Sequence, residues 1–215
     1  MQGPDIASSA LIIIDMQNDF LHPEGGFAAR ARANPGRVDM EFLRGTIAPA
    51  KALADAFRAA GRPVIYITHS VKPDFSDGQW PWWRLGHQPG GNRAFVAEGS
   101  WGAKVVDELA PHDGEHVVVK KGFGGFSNTP LDTILRNLGV TTPVVCGVTT
   151  CVCVSTTVRG GVEHNYRMIL AGDAVAEVDR ETHAAELRTM ARVFADVKSN
   201  AEIVAMLAEL TPVRS

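Results

Sequence analysis

The chain has 215 residues, a formal net charge of −3, 45% hydrophobic and 21% charged side chains, and three cysteines. That length suits one hydrophobic core, so a single domain spanning 1–215 is expected, and the mild acidity gives no reason to expect nucleic acid or anionic membrane as a partner. An odd, low cysteine count points to a reducing compartment. The absence of both a basic-then-apolar leader and an apolar run of ~18–20 residues makes a cytoplasmic protein the expectation.

In chain order, ALIIID (10–15) is a short apolar run of the kind that forms a fully buried strand. A polar connection over 22–36 follows. Residues 39–60 then place Phe42, Leu43, Ile47, Leu53, Ala54 and Phe57 at helical spacing, and Gly61 stands where a C-cap glycine would. PVIYITH (63–69), HVVVK (116–120), PVVCGV (143–148) and RMILAGD (167–173) read as four more strands. TPLDTILRNLG (129–139), a segment from about Arg180 to Phe194, and AEIVAMLAEL (201–210) read as helices. This alternation predicts a three-layer α/β/α domain with a mostly parallel central sheet. Residues 70–102 break it with no clear period and hold all four tryptophans, which suits a lid or a subunit contact.

Ligands of an open parallel sheet bind beyond the carboxyl ends of its strands. Asp15 closes the first strand there, Lys120 closes the third, and Cys151 and Cys153 follow the fourth. Each has a plain alternative. Asp15 fits a helix cap, and Lys120 with Lys121 fits a solvated pair. Cys151 and Cys153 are too close in sequence for an unstrained disulfide, and C-x-C without a second ligand pair is a poor zinc site. His112 and His116 lie at the other end of the third strand, and Cys146 sits inside an apolar run as a core residue. A non-catalytic small-molecule binder and a thiol redox protein using Cys151 and Cys153 remain as competing readings. A nucleotide binder lacks support, because MQNDF rather than a glycine-rich loop follows the first strand.

Several segments resemble the isochorismatase-like cysteine hydrolases, which include ureidoacrylate and biuret hydrolases, N-carbamoylsarcosine amidases and nicotinamidases. They are LIIIDMQNDF (11–20), THS (68–70), GSWGAKVVDELAP (99–111), KKGFGGFSNTPLD (120–132) and GVTTCVCVSTTVRGG (147–161). The resemblance spans roughly residues 10–195. It implies the Rossmann-like topology of that family and a catalytic aspartate, lysine and cysteine. In the lysine motif, aromatics fall three and six residues on. Phe123 and Phe126 meet this from Lys120, not from Lys121. In the nucleophile motif, Gly147 and Thr150 select Cys153 over Cys151.

The implied triad is therefore Asp15, Lys120 and Cys153. The resemblance also implies a cis peptide between Val148 and Thr149, with the N–H groups of Thr149 and Cys153 aimed at an oxyanion. A helix starting near Val152 would put Cys153 in its first turn, where the macrodipole and Lys120 would favour a thiolate and Asp15 could take its proton. Substrate contacts are expected from Gln17, Phe20, His69, Phe123 and a tryptophan among Trp80, Trp82 and Trp83, with Lys72 and Arg84 available for a substrate carboxylate. THSVKPDFSD lacks the metal-binding histidine pattern of nicotinamidases, so neither metal nor cofactor is expected. The implied activity is hydrolysis of a small amide or ureido compound, and the paired threonines with Arg159 resemble the ureidoacrylate and biuret branch. The resemblance further implies a homodimer or homotetramer.

Overall fold

The computed structural model describes residues 4–74, 76–79 and 95–210. Six strands form one all-parallel sheet: β1 (Ser9–Ile14), β2 (Val64–His69), β3 (His116–Lys120), β4 (Thr142–Val148), β5 (Ile169–Ala176) and β6 (Asp196–Lys198). Their order is β3-β2-β1-β4-β5-β6, so the chain reverses its direction of travel across the sheet between β1 and β4. The short edge strand β6 carries too few apolar residues to show in the sequence. The predicted first five strands all form, each within a few residues of its expected limits.

Period-two alternation explains the solid apolar run of β1. Leu11 and Ile13 enter one core, while Ala10, Ile12 and Ile14 enter the other. The first core is closed by α3 (Met40–Arg44), α4 (Ile47–Ala59) and α8 (Asn200–Ala208), through side chains such as Leu43, Leu53, Phe57, Ile203 and Leu207. The second is closed by α5 (Leu131–Asn137) and α6 (Ser155–Glu163), with Leu131, Leu135 and Val158 inward, by Val154 just before α6, and by Met190 beyond α7 (Arg180–Thr189). Cys146 is fully buried in the first core, where burial pushes its thiol up to about 12.

The helix expected over 39–60 is two helices. Pro49 has no N–H to give to a preceding turn, so it fits only near a helix start. A new helix accordingly begins at Ile47, with the Thr46 hydroxyl donating to the Leu43 carbonyl at 2.6 Å. The single turn α1 (Asn18–Leu21) follows β1, and the connection read over 22–36 holds a helix instead, α2 (Gly26–Ala33), whose AARARA run favours helix despite its Gly and Pro flanks. Residues 99–111 do not enter a helix. They pair back on the segment after β1 and make one short turn at Asp107–Leu109. β5 runs on past Asp173 to Ala176. Val145 faces Leu170 but Gly147 faces Val175, so β5 bulges around Gly172.

At the reversal point β1 and β4 come together at Ile14 and Gly147. Gly147 has φ +119°, and a Cβ there would sit 2.1 Å from the Ile14 carbonyl oxygen. Gly147→Ala therefore combines a left-handed backbone with a clash that cannot relax. We expect it to lower unfolding free energy in urea by at least about 3 kcal/mol. A near-native urea midpoint would contradict this packing.

Candidate active site

The two strands at the reversal point deliver two of the three expected catalytic side chains. Asp15 follows β1 directly, in the left-handed region at φ +51°, and is fully buried. A turn of π-helix, Thr150–Val154, follows β4 and runs into α6, with buried Cys153 in its first turns. Lys120 comes from β3, two strands and ~9–10 Å from β1. Its backbone pairs with His69 at the end of β2, and its long stem crosses above that strand.

The lysine ammonium is fully buried and has three close partners. Nζ lies 2.8 Å from Asp15 Oδ2, donates to Cys153 Sγ at 3.3 Å and donates to the Gly122 carbonyl at 3.1 Å. The Asp15 contact is an ion pair by distance, without the alignment of a good hydrogen bond, and both oxygens retain lone pairs. Burial holds the Asp15 carboxyl above its ordinary range, against the pull of the Lys120 charge. Lys120, despite desolvation, is held above its ordinary value by Asp15 and Cys153, so it stays protonated. Burial and the Asp15 charge push the Cys153 thiol well up, and Lys120 offsets only part of this. The expected free thiolate is corrected accordingly. The resting side chain is a thiol beside a carboxylate whose proton affinity is also raised.

The peptide between Val148 and Thr149 is cis. The Thr149 carbonyl accepts from the N–H groups of Val152 and Val154, the residues on either side of Cys153. Cys151 and Cys153 are two residues apart on a helical turn and do not share a face. The Cys151 thiol donates to the Thr182 carbonyl at 3.5 Å, while Cys153 meets Lys120.

The expected substrate contacts divide. His69 ends β2, and burial together with Lys120 and Lys121 pushes its imidazole down to about 3, so it is neutral at physiological pH. Phe123 packs, half-buried, against the core that contains Cys153. Gln17 is fully buried and its amide is spent. It donates to the His69 and Ala103 carbonyls at 2.8 and 2.7 Å and accepts from the His69 N–H at 2.8 Å. Phe20 lies edge-on to Phe27 and Phe95 in the first core. Gln17 thus ties the segment after β1 to the end of β2, and Phe20 packs that segment into the core. Lys72 is exposed. Trp80, Trp82, Trp83 and Arg84 lie outside the described residues. Arg159 is paired with Glu186 at 2.7 Å and lies over the Phe194 ring, which occupies its charge within the helical layer.

Motif residues read only for their type prove to be scaffold. Asn18 donates to the Trp101 carbonyl, and Asp19 accepts from the Gly26 and Val96 N–H groups, tying 95–102 to the segment after β1. Glu177 was missed altogether. Ending the fifth strand at Asp173 hid it, because only the full length of β5 brings Glu177 to the carboxyl edge of the sheet. Among the described residues, no group of three or more His, Cys, Asp or Glu is placed to hold a metal ion, and no helix is long and apolar enough to cross a membrane.

The isochorismatase domain matches residues 9–202. The chain belongs to the isochorismatase family. It is 34% identical over 201 residues to the ureidoacrylate amidohydrolase RutB of Methylobacterium radiotolerans, covering 88% of this chain and 76% of that one. Its fold is similar to the crystal structure of a cysteine hydrolase from Pseudomonas syringae pv. phaseolicola, with TM-score 0.83, 29% identity and coverage of 98% and 97%. It is also similar to N-carbamoylsarcosine amidase from Thermoplasma acidophilum, with TM-score 0.71, 31% identity and coverage of 90% and 96%. The expectation of an isochorismatase-like hydrolase on an α/β/α fold is borne out by these matches.

The ion pair sets an energetic test. Removing one partner leaves the other charge buried and alone, so Lys120→Met and Asp15→Asn should each destabilise the fold by about 3 kcal/mol. The double variant should be less destabilised than the sum of the two by at least about 1 kcal/mol. Additive losses in urea unfolding would mean that the two charges do not stabilise each other.

Proposed function

We propose that this isochorismatase-family hydrolase is a cysteine amidohydrolase that opens an amide or ureido C–N bond of a small molecule. The observation that carries the reading is the buried Lys120 ammonium lying against both Asp15 and Cys153 at the point where the sheet reverses. Amidohydrolase names among its relatives support the same chemistry.

In this mechanism the Cys153 sulfur attacks the substrate carbonyl carbon as its proton passes to Asp15. Lys120 keeps both groups in register and offsets the charge forming on sulfur. The N–H groups of Thr149 and Cys153 receive the developing oxyanion, a kind of contact worth about 3 kcal/mol per donor in the transition state. Asp15 then gives its proton to the departing nitrogen, which leaves as ammonia or an amine. A thioester or thiocarbamate remains on Cys153. Water, activated by Asp15, attacks that carbonyl and restores the thiol. No metal and no cofactor enter the scheme. Neutral His69 and Phe123 line the approach, with Trp82 a further candidate contact. The redox reading loses ground because the two thiols meet different partners on different faces. A ureido compound is the favoured substrate class on the likeness to ureidoacrylate amidohydrolase, and the chain acts as a homodimer or homotetramer.

An ammonia-release screen over carbamoyl, ureido, biuret-like and small carboxamide compounds tests the class. With a turned-over compound in hand, Cys153→Ala should cut kcat by at least about a thousandfold. Cys151→Ala should keep more than half of it, and the reverse result would sink the assignment.

The pH profile carries a second test. Proton abstraction needs Asp15 unprotonated, so kcat/KM should rise with pH through an acid limb. Because burial raises the Asp15 carboxyl, that limb should lie above the ordinary carboxylate range. An acid limb at or below that range would argue against Asp15 as the base.

A further inference from the structure

Besides Asp15 and Asp19, one other carboxylate is buried among the described residues, and the proposed chemistry does not use it. Glu177, 4% exposed, stands just past the end of β5, and among the described residues no lysine or arginine pairs with it. Its oxygens are spent on backbone instead. Oε2 accepts from the Cys151 N–H at 2.8 Å and Oε1 accepts from the Val178 N–H at 2.9 Å.

The Cys151 N–H is one of the first amides of the helical segment that carries Cys153, and such amides have no carbonyl behind them within the helix. A cap residue's side chain commonly satisfies one of them, yet Thr149 makes no side-chain capping bond. Glu177 supplies that bond from a neighbouring strand, with a negative group at the positive end of the helix. Beside it, Thr150 Oγ1 lies 2.9 Å from His183 Nδ1, so α7 holds the same turn from a second side. The bond to the Cys151 N–H also holds the carboxylate within one residue of that thiol. After burial, its charge is the next cause that raises that thiol, to about 12.

We propose that Glu177 is a positioning residue: it fixes the turn that presents Cys153 to Asp15 and Lys120, and it keeps the neighbouring Cys151 an inert thiol. The proposal rests on Cys153 being the nucleophile. A tether two residues from the nucleophile controls where its sulfur sits, and a misplacement of ~1 Å at a reacting group can cost about a hundredfold in rate. A carboxylate is suited to this because it accepts on both oxygens. An amide in its place accepts on one side only, so one of the two backbone bonds must break.

The test separates the two duties. In the chain with Cys153 intact, Glu177→Gln should lower kcat by at least about tenfold, with KM changed by less than about threefold. In a Cys153→Ala background, Cys151 is followed by iodoacetamide labelling at pH 8.5 and peptide mass spectrometry. There Glu177→Gln should speed its alkylation by at least about threefold, because the adjacent negative charge is gone. An unchanged kcat, or unchanged labelling, overturns the proposal. If Glu177→Gln does not fold, Glu177→Asp carries the test. It keeps the charge and draws the carboxylate back by one methylene, so kcat should fall while labelling stays slow. Native kcat in Glu177→Asp, or faster labelling, likewise overturns the proposal. Failure of the nucleophile reading would show separately, as turnover surviving Cys153→Ala with Glu177 in place.

Discussion

A lysine ammonium with no access to water holds the centre of this molecule together. Moving such a charge out of solvent costs several kcal/mol, and only close partners of good geometry offset it. Lys120 finds three: the Asp15 carboxylate, the Cys153 sulfur and the Gly122 carbonyl. Asp15 lies more than a hundred residues before the other two in the chain, and the parallel sheet with β1 at its reversal brings them to one address. The tight contact of β1 with β4 at Gly147 and the left-handed turn at Asp15 both serve that convergence.

The same burial that makes the pairing necessary shapes the proposed chemistry. In water the cysteine would be the more acidic thiol and the aspartate the weaker base. Sealed together, both hold protons more tightly, and Lys120 is the fixed positive charge between them. A proton can then shuttle between sulfur and carboxylate while Lys120 stays against whichever of the two carries the negative charge. Cys151 is close by in sequence but meets a different carboxylate, Glu177, whose oxygens are engaged with backbone N–H groups.

The sheet was readable in the sequence because buried parallel strands are short apolar runs. The meeting of Asp15, Lys120 and Cys153 was readable because all three stand at or just past strand ends on one edge, with the family resemblance selecting Lys120 over Lys121 and Cys153 over Cys151. What escaped detection has physical causes. β6 is three residues at an edge, with too little burial to leave a pattern. The Gly26–Ala33 helix is nearly patternless in hydrophobicity, because it packs Phe27 and Ala28 at one end and exposes most of the rest. The bulge in β5 shifted the apparent strand end and so hid Glu177. Gln17 and Phe20 were noticed for their place after β1, but their contacts are long-range. Nothing local in MQNDF announces that its amide grips residues 69 and 103 or that its phenyl ring meets Phe95.

That grip is one of several that fix the strand exits. Gln17 locks the exit of β2 to Ala103, Asp19 holds the Val96 N–H, Val71 bridges Ala97, and the Gln79 N–H donates to the Lys121 carbonyl. The tryptophan-rich sequence between Gln79 and Phe95 is thus bounded by two moorings fixed independently of what lies between them. The registration of the lysine, the carboxylate and the thiol is therefore carried by bonds that all lie outside that stretch. Those bonds fasten the exits of two neighbouring strands to one another, so the reactive centre is framed by the same backbone that builds the sheet.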